Sequence, residues 1–160
     1  MRRHPFISAF VFLACFAGSW LRATEVEFVR VWPQWRAAES FERISEFFGG
    51  GENTGGHLIL RTRAETRAGY YFVVRLAHAA SLEGAKFEVS VVRPDTVEPK
   101  AFSLPVTAPR KDDVVELGLT GADWPGGEKA HPVAWKLTLR AADGRVLAEQ
   151  KSFLWENPAK

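Results

Sequence analysis

Apolar and polar residues alternate in short runs along most of the chain, which is the period of a half-buried β-strand. The clearest run is Lys86 to Val91, where Phe87, Val89 and Val91 share one face and Lys86, Glu88 and Ser90 the other. Phe102, Leu104 and Val106 repeat the pattern, then Val115, Leu117 and Leu119, then Val133, Trp135, Leu137 and Leu139. Weaker runs at 26–32, 57–63, 69–76 and 145–155 bring the expectation to about eight strands, a spacing that favours an antiparallel sandwich of two sheets. Pro94, Pro109 and Pro125 interrupt the runs where connections are needed. Asp143-Gly144 predicts a two-residue type I′ hairpin between the last two strands, and a slip of phase between Glu149 and Phe153 predicts a bulge in the final one.

One stretch departs from this period. Trp35, Ala38, Phe41, Ile44 and Phe48 follow a helical stripe, and Glu39 with Arg43 makes an i,i+4 pair. A helix over 35–48 is therefore predicted after the first strand, stopped by Gly49-Gly50-Gly51.

The segment WKLTLRAADGRVLAEQKSFLW, Trp135 to Trp155, resembles the closing hairpin of bacterial exported immunoglobulin-like or fibronectin-III-like domains. The chain as a whole also resembles a family of small secreted proteins, which implies no particular function. The first resemblance implies an immunoglobulin-like fold, all-β with one inserted helix, and the adhesion, spacer and assembly roles of such domains. It implies no enzymatic activity.

Residues 1–23, MRRHPFISAFVFLACFAGSWLRA, combine a basic start, an apolar run and a small residue at the end, and read as a signal peptide cleaved after Ala23. The expected organisation is thus a signal at 1–23 and one domain at 24–160, secreted or periplasmic. A span needs roughly 20 apolar residues, and this run is broken by Ser8, Gly18 and Ser19, so no stable membrane span is expected after cleavage. Leu13-Ala14-Cys15 resembles a lipobox, which gives a lipoprotein anchored through Cys15 as the alternative, with Phe12 departing from the usual aliphatic residue.

Cleavage removes Arg2, Arg3 and Arg22 and no acidic residue, which takes the formal charge from +2 to −1. A near-neutral domain argues against nucleic-acid binding, which needs a basic surface. Cleavage also removes the single cysteine, so disulfides, thiolate metal sites and a cysteine nucleophile drop out. The remaining 137 residues are enough to bury a core without such staples.

Candidate chemistry is sparse. His57, His78 and His131 show no metal-ligand spacing, no G-x-S-x-G turn is present, and Asp112-Asp113 reads as a turn. No metal, cofactor or catalytic residue is expected. Gly49 to Gly56, GGGENTGG, lacks the Lys-Ser/Thr ending of a phosphate loop and follows the predicted helix rather than preceding one. Two features remain as candidate binding residues. Trp32, Trp35 and Trp124 would give a sugar-stacking platform if exposed, against the ordinary reading of tryptophan as core. Arg61, Arg63 and Arg67, with Arg75 brought near by a hairpin through 64–68, would form a basic strip for an anionic polymer or acidic partner, against that of a solvated face. The sequence therefore points to a non-enzymatic interaction or structural module of the cell envelope, whose partner is an envelope protein. A glycan-binding module is the alternative, and an enzyme with a site assembled from distant residues the third reading.

Overall fold

A computed structural model of the chain describes residues 26–48, 52–77, 82–106 and 113–156. The predicted signal peptide, Cys15, His78, Gly49-Gly50-Gly51 and Asp112 lie outside these residues. The described residues form eight strands in two sheets of four. The strands are β1 (Glu27–Arg36), β2 (Leu58–Arg61), β3 (Gly69–Ala77), β4 (Lys86–Val92), β5 (Lys100–Pro105), β6 (Val114–Thr120), β7 (Ala134–Arg140) and β8 (Val146–Lys151). One sheet has the order β1-β3-β6-β2 and the other β5-β4-β7-β8.

Strand alternation carries the core. Phe87, Val89, Val91, Leu137 and Leu139 from one sheet meet Phe72, Val74, Val115, Leu117 and Leu119 from the other, all fully buried in a single apolar cluster. Burying each such side chain contributes roughly 1.5–3 kcal/mol. Phe28 stacks on Phe87 across the layers with ring centroids 6.5 Å apart. Of the predicted inward residues only Val133 is exposed, because β7 begins one residue later, at Ala134.

Four expectations are corrected. The helix over 35–48 does not form: β1 stays paired with β3 as far as Arg36↔Gly69, so Trp35 is a strand residue opposite Tyr70 and packs against the core. Only two 3-10 turns follow, Ala38–Phe41 and Ile44–Phe48. Here a sheet ladder and a half-buried indole packed on the core outweigh a helical stripe with a marginal length for helix formation. The sandwich is also not wholly antiparallel. β2 makes no hairpin with β3; it pairs in parallel with β6, Leu58↔Val115 to Arg61↔Gly118, on the far side of β6 from β3.

The last two corrections concern the β7–β8 hairpin. The Ala141 amide donates to the Arg145 carbonyl and the Gly144 amide to the Ala141 carbonyl. Gly144 has φ +84°, which closes a three-residue loop rather than a two-residue one. The ladder irregularity lies at this end, between the Leu139↔Ala148 and Arg140↔Val146 pairs, and not between Glu149 and Phe153. The chain instead leaves the sheet after Lys151 and ends its described part in a 3-10 turn at Phe153–Glu156.

Candidate functional site

The two outer faces of the sandwich are built differently. On the β1-β3-β6-β2 sheet, Tyr71, Gly118 and Arg61 lie in one row across β3, β6 and β2, pointing away from the core side of their strands. Residues 37–48 and 52–57 lie over this face as a strap that sets Phe41 on Tyr71, with ring centroids 4.9 Å apart and both residues buried. Gly118 is required by that contact, since a Cβ there would come within 2.5 Å of the Tyr71 ring. Guanidinium groups cover Phe41, Arg36 at 3.9 Å and Arg61 at 4.9 Å from the ring centre.

The same strap supplies the carboxylates that neutralise the predicted basic strip. Arg61 Nη1 donates to Glu52 Oε2 at 2.8 Å and its Nε to the Tyr71 hydroxyl at 2.8 Å. Arg67 Nη1 donates to Glu46 Oε2 at 2.8 Å. Arg36 pairs with the buried Glu116, which also lies 3.1 Å from His57 Nδ1. The hydrogen bond from Arg67 holds the Glu46 carboxyl below its ordinary range, and that from Arg61 does the same for Glu52. Burial pushes the Tyr71 hydroxyl up, so it stays protonated and donates to the Arg67 carbonyl at 2.6 Å. Arg63 points elsewhere, with Nε 3.0 Å from Asp123, a carboxylate it shares with Lys100. Arg75 sits at the opposite end of β3, pairing with Val114, so the structure does not bring it to the other three.

The tryptophans do not assemble into one platform. Trp35 faces the core, whereas Trp32 on the same strand faces outward, 37% exposed, with the Arg30 guanidinium 4.7 Å from its ring centre. Trp124 is 3% exposed, lies 4.7 Å from Tyr70 between ring centres and donates through Nε1 to the Gly127 carbonyl. The described histidines are occupied as well: His57 by Glu116, and His131 by the Tyr70 hydroxyl at 3.3 Å from Nδ1. Among the described residues no three His, Cys, Asp or Glu side chains converge on a point where a metal ion could sit.

The opposite outer face, on the β5-β4-β7-β8 sheet, ends in an open apolar groove of about 1030 Å3. The β4–β5 loop forms one wall and the C-terminal 3-10 turn the other, with Val92 and Ala134, paired neighbours on β4 and β7, at the floor. Val97 is 90% exposed, Leu154 54% and Val133 50%, values that leave large apolar side chains in water along one concave surface. A smaller cavity of about 140 Å3, lined by Trp124, Pro125 and Ala130, adjoins it through Arg93, Pro94 and Asp95, which line both. Arg93 is the polar element of the divide. Its Nε lies 3.2 Å from Asp95 Oδ1 but at no hydrogen-bonding angle, so this buried donor has no acceptor within the described residues.

None of Arg93, Val97, Val133, Leu154 and Trp155 was among the candidate binding residues. Their only trace in the sequence is the Pro94/Pro99 punctuation around Val97 and the phase slip before Phe153. The groove forms because three segments distant in sequence end at the same edge of the sandwich. Against known families, characterised proteins and solved structures the chain finds no match. Among the described residues no helix is long and apolar enough to cross a membrane.

Proposed function

We propose that the chain is an exported interaction module, non-enzymatic, built on an immunoglobulin-like sandwich. The strand order supports the fold. β1, β3 and β6 stand as strands A, B and E of such a domain, and β5, β4, β7 and β8 as C′, C, F and G. β2 occupies the place of strand D, but it comes between A and B in the chain and therefore runs parallel to its neighbour. The exported location rests on the signal-like residues 1–23.

The observation that carries the functional reading is the apolar groove, because Val97, Val133 and Leu154 hold their aliphatic side chains in water along one concave surface. A photo-crosslinking residue placed at Val97 or Val133 of the exported protein should capture a discrete envelope protein in cells, whereas the same residue at Glu39 on the strap should not. Capture from the strap and none from the groove would overturn the assignment. A glycan-binding reading keeps one observation, the outward Trp32 beside Arg30. It requires the indole emission of wild type, compared with Trp32→Phe, to change on adding envelope oligosaccharides.

A further inference from the structure

We infer that the strap is a clasp held by charge, which acid detaches from the β1-β3-β6-β2 sheet while the sandwich beneath it stays folded. This device lies on the other sheet from the groove and is independent of what the groove takes. The way the strap is attached supports it. Its backbone hydrogen bonds are local, with the amides of Ser40, Glu42, Glu46 and His57 donating to the carbonyls of Ala37, Glu39, Arg43 and Thr54. Among the described residues, every hydrogen bond between the strap and the rest of the domain involves a side chain. Phe41 is buried, but Ile44 is 78% and Phe48 85% exposed, so apolar burial along the strap is thin. Ordering these residues costs conformational entropy. Phe41, the Glu46 and Glu52 ion pairs and the His57–Glu116 contact offset it, which makes the strap a candidate for opening apart from the core.

The charges around Glu46 and Glu52 set the direction of the response. From the β2–β3 connection Arg67 reaches Glu46 at 2.8 Å and Glu52 at 3.9 Å, and from β2 Arg61 reaches Glu52 at 2.8 Å. Glu65 in the same connection is exposed, and Arg63 is turned to Asp123. On β1 and β6, Arg36 and Glu116 pair with each other, and on β3 the Tyr71 hydroxyl stays neutral. Within the strap Glu39, Glu42 and Arg43 are exposed. The carboxyls of Glu46 and Glu52 are held low by their arginines, so the closed strap binds fewer protons than the released one and acid favours release. His57 acts the other way, because a protonated imidazole is attracted to Glu116. Guanidinium groups stay charged when carboxylates do not. Release therefore turns a neutralised cluster into a cationic surface around Tyr71.

Trypsin cleavage after Arg43 of the exported protein reads the strap at neutral pH. Glu46→Gln combined with Glu52→Gln stands in for the protonated strap and should speed cleavage about tenfold or more, with the circular dichroism of the sandwich kept. Glu39→Gln combined with Glu42→Gln removes the same charge from the same strap and should leave the rate unchanged. In an otherwise wild-type chain, nitroxide labels on Glu42→Cys and Arg75→Cys should move apart between about pH 7 and about pH 3, before the circular dichroism changes. Wild-type cleavage of the doubly glutamine-substituted strap would overturn the inference, as would labels that separate only when the sandwich itself unfolds. If Phe41→Ala speeds cleavage and the two glutamines do not, the strap is held by its ring alone and the charge clasp falls.

Discussion

The strap-covered face of the β1-β3-β6-β2 sheet and the grooved face of the other sheet start from similar material, strands that alternate core residues with arginine, lysine and glutamate. They end in opposite states. On the first, Phe41 and the carboxylates of Glu46 and Glu52 close over Tyr71, Arg61 and Arg67, so every charge of the cluster has a near partner. On the second, the only described segment lying against the face is the short 3-10 turn at 153–156, and Val97, Val133 and Leu154 remain turned to water at the groove. A basic cluster in sequence is thus not a binding surface by itself; it becomes one only where the chain does not supply its own counter-charges.

The comparison breaks most sharply at Phe41. Phe41→Ala should cost about 3–5 kcal/mol, as for other buried phenylalanines, read as a drop in the urea midpoint. A change of under about 1 kcal/mol would mean that the strap is not part of the folded unit. Gly118→Ala follows, with an expected loss of about 1–3 kcal/mol by overpacking the Tyr71 ring. Adding Tyr71→Phe should not relieve it, because the clash is with ring carbons and not with the hydroxyl.

Glu52→Gln comes next, at about 1.5 kcal/mol, the scale of a charge-assisted hydrogen bond. It should leave photo-crosslinking from Val97 unchanged. Acid probes the same clasp. Glu46 and Glu52 are held below their ordinary value of 4.5, so the unfolded chain binds more protons than the folded one in that region. Their stabilisation is complete at neutral pH and is lost as pH falls below about 4.5 and through the folded values. Quenching of an engineered fluorophore at Glu39 should report the strap leaving the sheet in that range, before the core melts. The smallest effect is expected at the open face: Leu154→Ser should change stability by less than about 0.5 kcal/mol and remove photo-crosslinking from Val97. A large loss of stability there would show that the groove is a structural seam.

Much of this was legible in advance. The strands carrying Phe87, Val89 and Val91, or Val115, Leu117 and Leu119, were readable because period-two alternation is a local signal that burial on one face enforces. The Asp-Gly hairpin was readable in position but not in type, since a three-residue loop with Gly144 left-handed uses the same residues as a two-residue one. The 35–48 stretch was misread because Phe41 and Trp35 have a helical spacing yet are claimed by opposite faces of one sheet.

By itself the sequence determined a β-rich domain, the identity of most core residues and the place of the closing hairpin. Only the tertiary structure decided that β2 lies beside β6, that Glu46 and Glu52 reach Arg67 and Arg61, and that Val97, Val133 and Leu154 share a groove. The division has a physical reason. Alternation and turn chemistry act between neighbours along the chain, whereas pairing order and charge neutralisation are contacts across dozens of residues, chosen by which arrangement buries the most apolar surface with its polar groups satisfied.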